Sequence, residues 1–252
     1  MNNTKKKSPI SWVPTAYFAM GLPFVVLNMV TVLMFKGLEV DDKLITFWTS
    51  LILLPWTLKP LWSPFLELFR TKKFFVIVTQ LITGVTFGLV AFALNLSHFF
   101  SISIALLAIV AFSGATHDIA CDGVYMSELS NEDQAKFIGW QGAFYNIAKI
   151  LATGGLVYLA GYFIELNADA GLLTANKRAW MIILLILSVT MILLGIYHLF
   201  ALPSTQSASS RKTLRSNKEV MKELGQVLMD FFRKTHITYY ICFIILYRFA
   251  EG

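Results

Sequence analysis

Charged residues are scarce in this sequence, and their scarcity limits the kinds of protein it can be. Only 14% of its 252 residues are Asp, Glu, Lys or Arg, whereas 56% are hydrophobic. A typical soluble domain carries about 25% charged residues. Together with a mean hydropathy of +0.64, this composition excludes an ordinary soluble domain and predicts an all-α membrane protein.

Signatures of catalysis and metal binding are equally scarce. Both cysteines, Cys121 and Cys242, lie in apolar runs, so no disulfide framework or Cys-rich metal site is predicted. No GxxxxGK[ST] loop appears, which disfavours ATP-driven transport. An enzyme acting on lipid-linked sugars would need acid–base residues at a membrane surface, and the one such cluster, Glu128, Glu132 and Asp133, lacks a His. We therefore expect neither enzyme activity nor a cofactor.

Long apolar runs are what the sequence has in abundance. A helix needs roughly 20 residues to cross the hydrocarbon core of a bilayer. Lys5, Lys6 and Lys7 precede the first run as in a signal peptide, but the run is too long and has no cleavage pattern, so a retained helix is predicted. The six predicted membrane spans are Trp12–Phe35, Leu44–Leu68, Phe74–Leu94, Phe100–Ser127, Phe137–Ile164 and Trp180–Leu202.

The basic residues sort by loop, which indicates membrane topology rather than nucleic-acid binding. Positively charged loops stay in the cytoplasm. The amino terminus and the linker 203–236 are therefore expected on the cytoplasmic side of an inner membrane, with six crossings between them. Fourteen Lys and Arg residues lie on that side and four on the other: Lys5, Lys6, Lys7, Arg70, Lys72, Lys73, Lys136, Arg211, Lys212, Arg215, Lys218, Lys222, Arg233 and Lys234, against Lys36, Lys43, Lys177 and Arg178.

Three segments are predicted: a six-helix body over 1–202, a basic linker over 203–236, and the start of a seventh membrane helix over 237–252. The last apolar run is too short to cross a bilayer, so we expect the chain to be truncated. The linker pattern predicts an amphipathic helix at the membrane surface, and a solvated helix packing on a partner fits nearly as well. Its apolar positions are Val220, Leu224, Val227, Leu228, Phe231 and Phe232.

Several predicted spans contain ionisable residues, each of which costs about 2.5 to 3.5 kcal/mol near the bilayer centre. Such residues face a bundle interior or an aqueous pathway. The third span has none and the sixth has only His198, so these two spans are expected to face lipid. The ionisable residues are Lys59 in the second span, His117, Asp118 and Asp122 in the fourth, Lys149 in the fifth and Arg248 in the seventh.

Two ion pairs follow from estimates of depth in the membrane. A rise of 1.5 Å per residue places Asp118 level with Lys149, and Lys59 level with Asp122. One interpretation is that these are static bridges. The other is that one carboxylate takes up and releases a proton, because burial disfavours its charged form while a neighbouring lysine favours it.

The fifth span carries a hydrogen-bonding stripe, because Gln141, Tyr145, Lys149 and Thr153 recur every four residues. The stripe suits a polar ligand, and interhelical hydrogen bonding explains it equally well. Helix-breaking residues predict that the first two spans line a cavity, although simple proline kinks are as plausible. These residues are Gly21, Pro23, Pro55, Pro60 and Pro64.

These features resemble the amino-terminal half of a major facilitator superfamily transporter. The stretch from Leu54 to Glu67, LPWTLKPLWSPFLE, is similar to the second-helix signature of AmpG-type muropeptide permeases, and Ser113 to Gly123 to their fourth-helix signature. Gly21-Leu22-Pro23 fits their first helix, and Tyr247-Arg248-Phe249 the start of their seventh. His117 stands where that signature has Gln, and the loop after Glu67 lacks the usual glycine.

The resemblance implies a six-helix half bundle of two three-helix repeats, which imports a bulky solute driven by protons and needs a carboxy-terminal half. In AmpG-type permeases the solute is an anhydro-muropeptide. Siderophore or acyl-CoA-type transport, or a membrane sensor, are the alternatives. The resemblance matches Lys59, Asp118 and Asp122 to charged positions of the family. With the residues singled out by the patterns above, the predicted proton-coupling and substrate pathway comprises Asp118, Asp122, Lys59, Lys149, His117, Gln141, Tyr145 and Arg248. The predicted gating loop comprises Glu67, Arg70, Lys72 and Lys73.

Overall fold

The computed structural model describes residues 7–69 and 71–203, and from the remainder 226, 229, 233–237, 239, 240, 242 and 243. Side chains at 64, 65 and 67–69 lie outside the description. The chain divides into two compact units, Met1–Ser207 and Ala208–Gly252. Most of the predicted linker helix, and Arg248 in the predicted seventh span, lie outside the described residues.

Six helical spans in the first unit are long and apolar enough to cross a membrane, which confirms the predicted multi-pass helical bundle. Every regular element among the described residues is helical. The spans, numbered 1 to 6 below, are Pro9–Gly37, Asp42–Ser63, Lys72–Ala93, Phe99–Glu128, Asn131–Leu166 and Leu172–Ala201.

Three spans begin at side chains that cap the helix. The Asp41 carboxylate accepts from the Lys43 backbone nitrogen at 2.9 Å, Thr71 Oγ1 from Phe74 at 3.2 Å, and Ser130 Oγ from Asp133 at 3.2 Å. Such bonds satisfy amide groups that have no partner within the helix. The helix of span 5 begins at Asn131, six residues before the predicted membrane span at Phe137, because its polar first turns are also helical.

Three spans depart from regular α-helix, and all other spans are single α-helices. Span 1 contains the α-helices Val13–Val25 and Thr31–Gly37 with a π-helical segment, Val26–Val30, between them. Span 2 contains the helix Asp42–Ile52 and the first part of a second helix, Leu54–Phe69, which continues beyond Ser63. Span 5 divides into Asn131–Ile150 and Val157–Leu166 around a second π-helical segment, Leu151–Leu156.

Proline accounts for the break in span 2, because Pro55 lies two residues after Leu53. Pro23 lies three residues before the first π-helical segment, so the carbonyl that it deprives of a partner lies before that segment. Proline has no amide hydrogen, so the carbonyl one turn earlier loses its helical partner. At the break in span 2, the Leu51 carbonyl instead accepts from the Leu53 amide. The helix runs unbroken through Pro60, where an interruption was expected.

Span 3 packs against spans 4 and 6, and span 1 packs against spans 4 and 5. Span 4 also contacts span 2, and span 5 contacts span 6. Gly84 permits the close approach of spans 3 and 6, because a Cβ atom there would lie 2.7 Å from Ile192 Cγ1 and 2.9 Å from the Ser188 carbonyl oxygen. With Gly88 it forms the small-xxx-small pattern that brings membrane helices together.

The division into interior and lipid-facing spans stays a prediction, and burial within the described spans follows a different order. In their most apolar stretches, 56% of span 3 and 44% of span 6 is buried, against 17% in each of spans 2 and 5. Buried polar residues on span 3, including Thr79, Gln80 and Thr83, explain the difference. Hydroxyl and amide side chains are not ionisable, yet they too are kept away from lipid by bonding to neighbouring helices.

Candidate functional site

The charged residues of span 4 meet partners from spans 1 and 2. Lys59 Nζ donates to Asp118 Oδ2 at 2.6 Å, and Trp56 Nε1 donates to the same oxygen at 2.9 Å. The Asp118 side chain is 10% exposed and that of Lys59 is 28% exposed. An ion pair therefore bridges two membrane spans in a largely buried position.

The two oxygens of the Asp118 carboxylate differ sharply. Oδ2 accepts both donors from span 2, whereas Oδ1 is buried and has no hydrogen-bond partner among the described residues. A buried acceptor without a donor costs about 1 to 3 kcal/mol. Oδ1 is thus a position where a proton or a donor from a ligand would be favoured.

Glycine at position 114 makes room for this arrangement. A Cβ atom there would lie 2.9 Å from Trp56 Cζ2 and 3.4 Å from Pro23 Cβ. Gly114, Asp118 and Asp122 share one face of span 4 because they lie four residues apart. Trp56 and Lys59, three residues apart, share a face of span 2, so the two helices bring donor and acceptor together.

Asp122 pairs with span 1 rather than with a lysine. Its Oδ1 accepts from the Tyr17 hydroxyl at 2.8 Å, and part of its side chain remains exposed. The expected pairs Asp118–Lys149 and Lys59–Asp122 were wrong. Asp118 and Asp122 differ in depth by one helical turn, about 6 Å. A lysine side chain can span that distance, so depth alone does not decide which carboxylate Lys59 binds.

A second polar group occupies another face of span 4. His117 Nε2 lies 3.0 Å from Gln80 Nε2, Gln80 Oε1 lies 2.9 Å from His198 Nδ1, and His198 Nε2 lies 2.9 Å from Thr15 Oγ1. We call these four residues the histidine–glutamine chain. It joins spans 4, 3, 6 and 1 in order, and Gln80 and His198 are fully buried.

Sequence reasoning missed most of this chain. His117 was predicted to lie on the proton-coupling pathway, but its ring contacts Gln80 of span 3, whereas Asp118 contacts span 2. Gln80 is an amide within an otherwise apolar run, and that is a signal of burial against a partner. His117 Nδ1 is buried without a partner among the described residues.

The stripe on span 5 does not reach the Asp118 ion pair through any described hydrogen bond. Gln141 and Tyr145 are half-buried and Lys149 is exposed. Tyr145 packs against span 1, since a Cβ atom at Gly21 would lie 2.9 Å from the Tyr145 carbonyl oxygen. Thr153 donates to the Lys149 carbonyl at 2.8 Å. This stripe therefore combines helix packing with an exposed cation.

The predicted gating loop is described only in part. Glu67 is helical, its side chain and the whole of Arg70 lie outside the described residues, and Arg248 does too. Lys73 Nζ donates to the Leu202 carbonyl at 2.8 Å and so ties span 3 to the end of span 6. The Lys72 side chain lies against Gly123 of span 4.

The part of the chain that is described offers no set of ligands for a metal ion. Within it, no group of three His, Cys, Asp or Glu side chains is placed to hold a metal ion. Cys121 and Cys242 are both free.

Comparison with protein-family models, with curated proteins and with solved structures found no match to this chain.

Proposed function

We propose that this chain is the amino-terminal half of a proton-coupled secondary transporter of the major facilitator type, which imports an anhydro-muropeptide-like solute across a bacterial inner membrane. The observation that carries the proposal is the Lys59–Asp118 pair, at 2.6 Å between two membrane spans. Ionisable residues inside membrane spans are expensive and generally serve a pathway for ions or substrates.

The proton binds to the Asp118 carboxylate, whose two oxygens have different surroundings. Oδ2 binds Lys59 and Trp56, while Oδ1 is buried without a partner among the described residues. A proton on this carboxylate removes the negative charge that holds Lys59. Protonation thereby frees Lys59 to bind an anionic group of a solute, which links the two events.

The pattern of contacts supports a repeat of three helices. In such a repeat, spans 1, 2 and 3 correspond to spans 4, 5 and 6. The contact between spans 1 and 5 then corresponds to the contact between spans 4 and 2, and the contact between spans 3 and 4 to the contact between spans 6 and 1. The contacts of span 1 with span 4 and of span 3 with span 6 correspond to themselves. All of these contacts occur. Internal repeats of this kind are typical of secondary transporters, with sites at the repeat interface.

The exposed surface of span 5 supports a missing partner half. A Cβ atom at Gly139, Gly142, Gly154 or Gly161 would meet nothing within 4 Å. Helix-interior glycine costs about 1 kcal/mol relative to alanine, and no described contact offsets that cost here. Close approach of a further helix, in a carboxy-terminal six-helix half, would explain these glycines.

The test is uptake of labelled anhydro-muropeptide into vesicles that carry the complete transporter, with and without an inward proton gradient. Gradient-driven uptake is expected for the parent protein, with a loss of at least tenfold in Asp118→Asn. Asp42→Asn is the matched control, because Asp42 forms an exposed pair with Lys36 at 3.6 Å.

Each result has a distinct meaning. No uptake by well-folded parent protein would contradict the muropeptide assignment and direct attention to siderophores and acyl-CoA. Uptake that persists in Asp118→Asn would leave the carboxylate with a structural role. Ligand binding without uptake would favour a sensor.

A further inference from the structure

A groove of about 520 Å³ lies between spans 3 and 4. Its walls include Phe75, Val78 and Ile82 from span 3 and Ile109, Phe112 and Thr116 from span 4. Ile82, Ile109 and Phe112 at its rim are exposed. Because both spans are long and apolar enough to cross a membrane, the groove opens sideways toward lipid.

The polar groups of the groove are already satisfied. Thr79 donates to the Phe75 carbonyl at 2.6 Å, Ser113 to the Thr79 carbonyl at 2.8 Å, and Thr116 to the Phe112 carbonyl at 2.8 Å. None of these hydroxyls has a hydrogen left to offer a ligand. The groove therefore suits a hydrocarbon chain rather than a polar solute.

The dimensions of the groove match part of one acyl chain. From Phe75 to Ile82 the helix rises about 10 Å, which is less than half of the roughly 30 Å hydrocarbon core. The groove therefore lies within one leaflet, on the side where span 3 begins.

Positive charge stands at that end of the groove. Lys72 precedes Phe75 by three residues and so lies on the same face of span 3. Its side chain continues the seam between the helices, because a Cβ atom at Gly123 would lie 2.7 Å from Lys72 Cδ and 3.3 Å from its Nζ. Glycine at this position leaves space for the lysine to lie between the spans. Lys73 lies at the same end of span 3, with its ammonium group 2.8 Å from the Leu202 carbonyl oxygen.

We propose that this groove is a binding site for an anionic phospholipid, with one acyl chain between spans 3 and 4 and the phosphate at Lys72. Basic residues beside apolar clefts at a membrane surface select anionic headgroups, and each contributes about 1 kcal/mol, or about fivefold in affinity. The lining of the site includes neither Lys59 nor Asp118, and the site does not depend on transport activity.

The experiment is native mass spectrometry of the full chain in detergent, with phosphatidylglycerol and phosphatidylcholine of identical acyl chains in equal amounts. We expect preferential retention of phosphatidylglycerol. Lys72→Gln should reduce that preference about fivefold, while Lys43→Gln, at the opposite end of the bundle, should not. Val78→Trp, which fills the groove, should lower retention of both lipids. Val85→Trp, at an exposed position of the same helix, is its control.

A second measurement uses the unaltered protein, so it holds even where a variant fails to fold. Phosphatidylglycerol with a photoreactive acyl chain should label peptides that contain Phe75–Ile82 and Ala108–Thr116. Equal retention of the two lipids, unchanged by Lys72→Gln, would overturn the headgroup assignment. Labelling spread evenly around the bundle would overturn the groove.

Discussion

At the scale of single residues, the Lys59–Asp118 pair is expected to contribute more to stability than any surface ion pair. Lys59→Met leaves a buried carboxylate without its cation, and we expect a loss of about 3 kcal/mol in the free energy of unfolding. Thermal or denaturant unfolding in detergent measures the effect. Lys36→Met, which breaks the exposed pair with Asp42, should cost at most about 1 kcal/mol.

The double variant Lys59→Met/Asp118→Leu separates pairing from other effects. It should recover most of the lost stability, since neither charge is then left buried alone. Additive losses in the double variant would contradict a direct interaction between the two side chains.

Gln80 is expected to be similarly sensitive. Gln80→Leu removes the partner of both His117 and His198, and each orphaned group costs about 1 to 3 kcal/mol, so we expect at least about 2 kcal/mol of destabilisation. The same unfolding measurement applies. Gln141→Leu, at a half-buried position of span 5, should change stability by about 0.5 kcal/mol or less.

At the scale of helices, glycines that look alike in the sequence are expected to respond in opposite ways. Gly84→Ala places a methyl group 2.7 Å from Ile192 Cγ1 and should destabilise by about 1 to 3 kcal/mol. In this chain without its proposed partner half, Gly142→Ala meets nothing within 4 Å and should stabilise the helix by up to about 1 kcal/mol. A loss of stability in both variants would mean that span 5 is packed more tightly than described.

The existence of the helices could be predicted from the sequence, but their pairing could not. Long apolar runs identified six spans because a bilayer requires that length, and polar first turns such as Asn131–Gln134 were missed because they lie outside the apolar run. The partner of Asp118 depends on how spans 2 and 4 are rotated. The break at Leu53 and the space at Gly114 set that rotation, and neither follows from spacing along the chain.

The burial of spans 3 and 6, like the pairing of the helices, was not predicted from the sequence. Thr79, Gln80 and Thr83 are buried among neighbouring helices, yet none is ionisable, so the positions of charged residues do not predict their burial. Amides and hydroxyls at helical spacing in an apolar run are the signal that would have found this surface.

At the scale of the whole molecule, topology is open to direct measurement. In a cysteine-free background, Lys136→Cys should react with a membrane-impermeant maleimide in inside-out vesicles, and Lys177→Cys in right-side-out vesicles. The physical reason is the charge asymmetry between the loops. The reverse pattern would place the basic loops outside and contradict the predicted orientation.

The histidine–glutamine chain has a direction. While both imidazoles are neutral, each has one donor and one acceptor nitrogen, and the Gln80 amide has a donor end and an acceptor end. If Thr15 donates to His198, every bond points toward His117, whose Nδ1 then carries a hydrogen. If every bond points the other way, Thr15 donates to the Trp12 carbonyl, 3.2 Å away, and His117 Nδ1 becomes an acceptor. Reversal requires the Gln80 amide to turn and both rings to exchange tautomers together. The hydrogen bonds of four spans therefore switch together between two arrangements. A change at Thr15 then decides whether Nδ1 of His117, at the far end, is a donor or an acceptor.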